Sequence, residues 1–328
     1  MASSSSSVMT DDESQLSKSL LGPWLVGSVL DIFFLGALSS QFINYFSWYG
    51  KDRLGTQLAV IGLVVLSILQ SIHTFAIAWI MFVLYFKDLY GAINLNFTAC
   101  WQLGNPIMIA SVGLYVQIFF CHRLWHISQK KIRYVLPVGF VLFIAYASVC
   151  VATYDIHRQS TIAGRWFAAH FSCVFAGDLM ITLSSAYLLL KSRSGVMPQT
   201  GGVLAALARL SFQTAAPVAL CALLNLILSQ VYNGKNLVSV PFNMMMPKLY
   251  AFSMMLTLNA RRALRAQAGL SDDGAPSAGS SGRRRADVVR STYVGRIEVR
   301  TRTDVSRHID FNESAGSGDQ LQELRSKG

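Results

Sequence analysis

LAVIGLVVLSILQSIHTFAIAWIMFVLY, the stretch Leu58–Tyr85, decides the fold, because it contains no Asp, Glu, Lys or Arg. About 20 mainly apolar residues in a helix are enough to cross the hydrocarbon core of a bilayer. Inside that core every backbone N–H and C=O group needs a partner within the protein, which only helices and closed barrels provide. The stretch therefore predicts a membrane-spanning helix.

Six further apolar stretches of similar length accompany it, so the sequence predicts an all-α, polytopic membrane protein built as a seven-transmembrane helix bundle. The predicted crossings are Leu21–Phe46, Leu58–Tyr85, Pro106–Ile127, Tyr134–Thr153, Trp166–Leu190, Leu210–Val231 and Val238–Asn259. They lack the alternation of apolar and polar residues that indicates a barrel. The composition agrees, with 52% hydrophobic and 14% charged residues, whereas a soluble domain has about 25% charged residues.

Two polar tails flank the predicted seven-helix domain of residues 21–260. Residues 1–20 are rich in Ser and acidic at Asp11–Glu13, where a cleavable secretory signal would be basic. Residues 261–328 are basic, and their segment Gly269–Gly282 has the composition of a flexible linker. Both tails are predicted to be largely disordered. The segment Asp287–Phe311 contains β-branched residues. An alternative to disorder is therefore a short linear motif there that adds a strand to the sheet of a cytosolic partner.

Lys and Arg residues near the ends of the crossings indicate the orientation, because they are retained on the cytosolic side. The richer side carries Lys51, Arg53, Arg123, Lys130, Lys131, Arg133, Lys191, Arg193, Arg209, Arg261, Arg262 and Arg265, and the poorer side carries Lys18, Lys87, Arg158, Arg165 and Lys235. This asymmetry predicts an N-terminus that is outside or lumenal and a cytosolic C-terminus, in the plasma membrane or an endomembrane. The net charge of +11 follows largely from this topology. Nucleic acid is therefore not an expected partner.

Asn96-Phe97-Thr98 is an N-glycosylation sequon in the second loop, which this topology places outside. Asn312-Glu313-Ser314 has the same pattern in the predicted cytosolic tail, where N-glycosylation is not expected. Asn96 is thus a candidate glycosylation site, whose use depends on its distance from the membrane.

Seven polar residues lie at intermediate depth in the predicted crossings, where an ionisable group costs about 2.5–3.5 kcal/mol. They are Asp31 in the first crossing, Gln70 and His73 in the second, Gln117 in the third, Asp178 in the fifth, Asn225 in the sixth and Lys248 in the seventh. Their similar depth allows them to meet inside the bundle. They are the candidate lining of a ligand or ion site.

Lys248 is the most informative of these residues. It stands about ten residues from either end of its crossing, roughly 15 Å from each surface, and therefore needs a carboxylate partner. Asp178 and Asp31 are the two carboxylates at that depth. Such a pair either lines a ligand or ion site or locks two helices together as a structural ion pair.

Short motifs between residues 20 and 265 carry a resemblance to a known family. They are Leu21-Gly22-Pro23 with Gly27, Tyr45 followed by Lys51-Asp52-Arg53, His73-Thr74, Ala176-Gly177-Asp178-Leu179 leading to Lys191-Ser192-Arg193-Ser194-Gly195, and Pro247-Lys248-Leu249-Tyr250 running to Leu258-Asn259-Ala260-Arg261. In these segments the chain resembles a fungal, chiefly basidiomycete, seven-helix membrane family catalogued as a domain of unknown function. The resemblance implies seven helices and no established activity. Asp31 is not typical of that family, which favours Asp178 as the partner of Lys248.

Three functions fit these features. A receptor-like sensor of a small-molecule ligand is the preferred hypothesis, because it fits the predicted topology and the basic cytosolic face. The third crossing ends in His122-Arg123 rather than in the acidic–Arg pair of G-protein-coupled receptors. The alternative is a small-molecule or ion transporter or channel that uses the midplane polar residues, although the two halves show no internal repeat. A scaffold that acts through its cytosolic tail would have the same sequence features.

An enzyme is not expected, and neither is a cofactor or a metal centre. His122 and His126 lie one helical turn apart and could donate two metal ligands, but no third ligand stands at their depth. A retinal Schiff base on Lys248 would lack the carboxylate counter-ion that microbial rhodopsins carry in their third helix. The lipid bilayer is the partner that the sequence indicates most directly.

Overall fold

Helices form nearly all of the chain that the computed structural model describes, namely residues 11–50, 52–86, 88–193, 198–232 and 237–267. The helices are α1 (Asp11–Trp48), α2 (Leu54–Trp79), α3 (Leu89–Thr98), α4 (Cys100–Leu103), α5 (Asn105–Ile127), α6 (Leu136–His157), α7 (Ala163–Arg193), α8 (Pro198–Tyr232) and α9 (Val240–Gln267). A π-helical turn, Ile80–Leu84, continues α2, and a 3-10 turn, Ile132–Tyr134, precedes α6. No strand occurs in these residues, which confirms the all-α prediction for the described ranges.

Five segments are long and apolar enough to cross a membrane: Lys18–Trp48, Leu54–Leu84, Cys100–Ile127, Ile132–His157 and Ala163–Lys191. α8 contributes a shorter apolar stretch, Ala215–Val231. The protein is therefore a multi-pass membrane protein. Of the seven predicted crossings, the first five meet this criterion of length and composition within the described residues.

The two faces of α2 show the polarity that a lipid environment favours. Its buried face carries the polar residues Ser67, Gln70, Ser71 and Thr74, whereas its exposed face carries Ile61, Val65, Ile68, Leu69 and Ile72. In water such an apolar stripe would be an interaction site or an aggregation risk. Against hydrocarbon the stripe is well solvated, and the polar side chains find their partners inside the protein.

Three regions differ from the sequence prediction. α1 begins at Asp11, well before the expected start at Leu21, so the second half of the expected N-terminal tail is helical. The second loop, expected to be a short connection, contains α3 and α4, and Asn96 lies in α3. α9 ends at Gln267, so residues 261–267 of the tail that was expected to begin at 261 are helical. The rest of that tail, residues 268–328, and the first ten residues lie outside the described residues. The described helices all belong to one unit, Met1–Asp273.

α9 occupies the interior of the bundle. It packs against α1, α2, α5 and α8, and its residues Met244, Met254 and Met255 are fully buried. Pro247 lies inside the helix, where its ring removes one backbone hydrogen bond. Because its neighbours are mostly other helices, α9 tolerates more polar residues than a helix that faces lipid.

The two ends of the bundle differ in their contacts. At the Asp52 end, named for the turn between α1 and α2, Asn259 Nδ2 donates a hydrogen bond to the backbone oxygen of Gln41 at 3.1 Å. At the opposite Trp101 end, named for α4, His73 Nε2 lies 2.8 Å from the backbone oxygen of Trp101.

α1 and α9 approach each other closely at Gly27. A Cβ atom added there would lie 2.5 Å from Met244 Sδ and 3.2 Å from Pro241 Cα. The methionine side chain is flexible, but the backbone of Pro241 is not. The absence of a side chain at Gly27 therefore allows this helix pair to form.

We predict that Gly27→Ala lowers the free energy of unfolding by about 1–3 kcal/mol, the usual cost of overpacking. Gly36→Ala on the same helix is the matched control, because a Cβ at Gly36 meets nothing within 4 Å. The control should be neutral or stabilising, since Ala favours helix more than Gly. Thermal unfolding of the purified protein in detergent compares the two, and equal shifts would contradict this account of the α1–α9 contact.

Candidate ligand or ion site

Lys248 is fully buried where α9 faces α1 and α2. Its Nζ atom lies 3.2 Å from Asp31 Oδ1. It also donates hydrogen bonds to the backbone oxygen of Ser67, at 3.0 Å, and to Gln70 Oε1. The contact with Asp31 Oδ1 is an ion pair, and the contacts with Ser67 and Gln70 are hydrogen bonds. The buried charge is thus paired and hydrogen-bonded, as its low-dielectric surroundings require.

The partners of Lys248 are held by a second set of hydrogen bonds. Ser71 Oγ donates to Asp31 Oδ2 at 2.5 Å, and Gln70 Nε2 donates to Thr74 Oγ1 at 3.0 Å. Asp31 and Gln70 are both fully buried. The lysine cluster, as named here, consists of Lys248, Asp31, Gln70, Ser71 and Thr74. Its hydrogen bonds fix the side-chain positions around the ammonium group.

Lys248 pairs with Asp31, so the preference for Asp178 as its partner is wrong. Successive residues of an α-helix are about 100° apart around the axis. Positions 248 and 250 therefore face nearly opposite sides of α9, and position 248 faces α1 and α2. Depth alone could not distinguish the two carboxylates.

Asp178 belongs to a separate network, named here the aspartate cluster, with Gln117 of α5 and Tyr250 of α9. Gln117 Nε2 donates to Asp178 Oδ1 at 2.9 Å and to the Tyr250 hydroxyl at 3.2 Å. The Tyr250 hydroxyl donates to Asp178 Oδ2 at 2.5 Å. All three residues are buried. Tyr250 was not among the seven polar residues predicted from the sequence, although it stands two positions after Lys248.

Two small cavities lie beside the aspartate cluster, and Tyr250 lines both. One is lined by Ile109, Ala110, Gly113, Leu114, Gln117, Leu142, Ala145, Tyr146, His170, Phe171, Val174, Asn243, Met246, Pro247 and Tyr250. The other is lined by Phe120, Arg123, Asp178, Ile181, Thr182, Ser185, Ala215, Val218, Tyr250 and Ser253. On α5, α7 and α9, the residues that line the first cavity come before the aspartate-cluster residue of that helix in the sequence, or are that residue itself. The residues that line the second cavity are the cluster residue or come after it. The first cavity is thus on the Trp101 side and the second on the Asp52 side.

The sizes of the cavities limit what they can hold. The Trp101-side cavity measures about 30 Å³ and the Asp52-side cavity about 40 Å³. A site for a water molecule needs about 10–15 Å³ on this scale, whereas drug-sized ligands occupy about 300–1,000 Å³. In this conformation each cavity has room for a few water molecules or one small ion.

The remaining predicted polar residues lie outside both clusters. His73 contacts Trp101 at one end of the bundle. Asn225 Nδ2 donates to Asn243 Oδ1 at 3.4 Å, between α8 and α9. Asn96 lies in α3. The structure therefore brings Lys248, Asp31 and Gln70 together, and Gln117 with Asp178, but it does not join all seven residues in one site.

His122 and His126 contact each other at the surface of α5, with 3.3 Å between their Nε2 atoms. Within the described residues, no group of three or more His, Cys, Asp or Glu side chains is arranged to hold a metal ion.

A third polar contact fixes α9 at the Asp52 end. Arg261 Nη2 lies 2.7 Å from Asp52 Oδ2, and the same carboxylate accepts hydrogen bonds from Tyr45 and from the backbone N–H of Arg53. The Arg261 guanidinium also stacks over the Tyr49 ring, 5.0 Å from its centroid. Burial alone would raise the pKa of Asp52, but the hydrogen bonds from Arg261, Arg53 and Tyr45 hold it below its usual value.

Fold and site together define a class: a multi-pass helical membrane protein with two buried polar clusters on opposite faces of one helix. Residues 174–263 match a family described as "Family of unknown function (DUF6534)". The matched segment includes Asp178, Lys248 and Tyr250, and thus residues of both clusters. No curated protein and no solved structure matches the chain. These comparisons indicate a domain of unknown function and assign it no activity.

We predict that Lys248→Met lowers the free energy of unfolding by about 3–5 kcal/mol, because it leaves Asp31 buried without a cation. Leu256→Met, an exposed position on the same helix, is the control and should change the stability by about 0.5 kcal/mol or less. Denaturant unfolding in detergent measures both variants. A loss no larger than that of the control would show that the pair does not stabilise the bundle.

Asp52 should make stability depend on pH in a definite direction. Its pKa is lower in the folded protein than its usual value, so its contribution is present above about pH 4, the unfolded value, and is lost as pH falls through the folded pKa. Wild type should therefore be more stable than Asp52→Asn at neutral pH, by about 1 kcal/mol for a partly exposed pair. This difference should shrink below about pH 4. Thermal unfolding of both proteins over a pH series tests this, and a constant difference would contradict it.

Proposed function

We propose that the protein is a receptor-like seven-helix sensor in which α9 carries the signal across the membrane. The sixth and seventh crossings are assigned to α8, which has the apolar stretch Ala215–Val231, and to the interior helix α9. The resemblance to a fungal seven-helix family supports this count and a fungal origin. The Lys and Arg distribution supports an N-terminus that is outside or lumenal and a cytosolic Asp52 end.

The observation that carries this proposal is the position of two polar contacts on opposite faces of α9. Lys248 bonds to α1 and α2, whereas Tyr250, two residues later, bonds to α5 and α7. Both sets of contacts are made at once in this structure, so α9 can move only when one set breaks. A ligand that replaced one set of contacts would release α9 on that side and favour a second position of the helix, which is how a ligand biases a two-state element.

The same helix ends in a contact that could report the change on the cytosolic side. Arg261 bonds to Asp52, in the turn between α1 and α2, and covers Tyr49. Movement of α9 would open this contact and expose a basic surface to a cytosolic partner. Residues 268–328 follow α9 in the chain and would contribute to partner binding; they lie outside the described residues.

The cavities favour an ion, or a ligand that induces its own site, over a preformed pocket for a small molecule. Volumes of about 30 and 40 Å³ are too small for a metabolite. Ion transport is the second candidate function, and it rests on the fact that the two cavities lie on opposite sides of the aspartate cluster. Ion flux in vesicles that depends on Asp178 would favour transport over sensing.

The test is hydrogen exchange of the purified protein, with Tyr250→Phe as the perturbation. This variant removes the hydroxyl that donates to Asp178 Oδ2 and should release α9 from α5 and α7. We expect faster exchange at residues 49–57 and 256–261, on the Asp52 end, because α9 transmits the change. Leu256→Met, on the exposed face of the same helix, should leave those peptides unchanged. Exchange differences confined to peptides around Gln117, Asp178 and position 250 would overturn the signalling role.

A further inference from the structure

The Asp178 carboxylate has hydrogen-bond donors on both oxygens but no directly paired cation among the described residues. Gln117 Nε2 reaches Oδ1 at 2.9 Å and the Tyr250 hydroxyl reaches Oδ2 at 2.5 Å. Among the described residues no Lys or Arg nitrogen lies within 4.0 Å of either oxygen. Two donors suit an ionised carboxylate, which only accepts hydrogen bonds. A buried negative charge without a counter-charge is costly at membrane depth.

Asp178 lines the Asp52-side cavity together with three residues that carry hydroxyl groups in addition to Tyr250. These are Thr182 and Ser185 of α7 and Ser253 of α9. Hydroxyl and carboxylate oxygens are the ligands that hard cations prefer. The cavity of about 40 Å³ exceeds the roughly 10–15 Å³ that one water molecule needs, so a small ion and a water molecule fit.

The single carboxylate of the cavity limits the class of cation. Asp178 is the one carboxylate among the residues that line the cavity, and the described chain offers no group of three His, Cys, Asp or Glu side chains for a metal. Sites for Ca²⁺ generally combine several carboxylates, and transition metals favour imidazole or thiolate ligands. Asp178 supplies one negative charge, which is too little for a divalent cation and can balance a single positive charge when Arg123, which also lines the cavity, is turned away from it.

We propose that the Asp52-side cavity is a binding site for a small monovalent cation such as Na⁺, with Asp178 as its charged ligand and Thr182, Ser185 and Ser253 as neutral ligands. The inference rests on the proposed sensor role in one respect, since it names the ligand class of the aspartate cluster. Cation binding would fix α7 against α9 through Asp178 and Tyr250.

Arg123 lines the same cavity and sets a limit on the affinity. Its guanidinium repels a cation in the cavity, and it is also the one internal group there that could replace the cation as the counter-charge of Asp178. An ion and Arg123 therefore compete for the carboxylate. Neutralising Arg123 should strengthen cation binding, whereas neutralising Asp178 should abolish it.

The experiment is thermal unfolding of the full chain in detergent, with NaCl replacing choline chloride at constant ionic strength so that general screening is unchanged. We expect Na⁺ to raise the unfolding temperature of wild type in a saturable manner. Asp178→Asn should remove the effect. Arg123→Gln should move the midpoint to a lower Na⁺ concentration. Equal unfolding temperatures of wild type in the two salts would overturn the site.

A milder variant keeps the test valid if Asp178→Asn does not fold. Thr182→Val removes one hydroxyl ligand without changing side-chain shape, and should raise the Na⁺ midpoint roughly fivefold, the effect of one neutral contact. Thr153→Val is the matched control, because the Thr153 hydroxyl bonds to its own helix at Val149. It should leave the midpoint unchanged. The same midpoint in both Thr variants, or a weaker response in Arg123→Gln, would contradict the assignment to this cavity.

The outcome also separates this inference from the proposed sensor role. Na⁺ binding that leaves hydrogen exchange at residues 49–57 unchanged would support the cation site and contradict signalling through α9. An absent Na⁺ response, together with altered exchange there in Tyr250→Phe, would overturn the cation site and leave the sensor role supported.

Discussion

A buried ammonium group in an environment without bulk water constrains this bundle. Lys248 is fully buried and is surrounded by three oxygen atoms, from Asp31, Ser67 and Gln70. An unpaired charge at that depth would cost several kcal/mol, so α1, α2 and α9 must come together with the correct rotation about their axes. This requirement explains why α2 turns its polar residues inward and its large apolar residues toward lipid. Gly27 lets α1 approach α9 closely on the same side of α9, because a Cβ atom there would meet Met244 and Pro241.

Satisfying Lys248 on one face of α9 leaves the other face to a different network. Tyr250 faces α5 and α7, where it bonds to Asp178 beside two small cavities. The two clusters differ in kind. The lysine cluster contains both members of an ion pair, whereas among the described residues no Lys or Arg nitrogen lies within 4.0 Å of the Asp178 carboxylate, although Arg123 lines the cavity beside it. A paired charge suits a structural role, and a carboxylate beside a cavity suits a site that an ion can occupy.

Much of the architecture could be predicted from the sequence because it depends on local composition. Long apolar stretches define where helices lie, and the depth of Asp31, Gln70, Gln117, Asp178 and Lys248 follows from counting residues. The partner of Lys248 could not be obtained in this way, since Asp31 and Asp178 lie at similar depth. Which carboxylate it meets depends on which helices are neighbours and how each is rotated, and these are properties of packing. Tyr250 was missed for the same reason, because a Tyr in an apolar stretch becomes informative only when its hydroxyl is seen to face a carboxylate.

The most direct test of this account is a pair of double-mutant cycles on the purified protein, which measure coupling energies between side chains. One cycle combines Lys248→Met with Asp31→Asn, and the other combines Lys248→Met with Asp178→Asn. We expect a coupling of about 1 kcal/mol or more for Lys248 with Asp31, and a coupling within about 0.5 kcal/mol of zero for Lys248 with Asp178. A larger coupling of Lys248 with Asp178 than with Asp31 would contradict the separation of the two clusters.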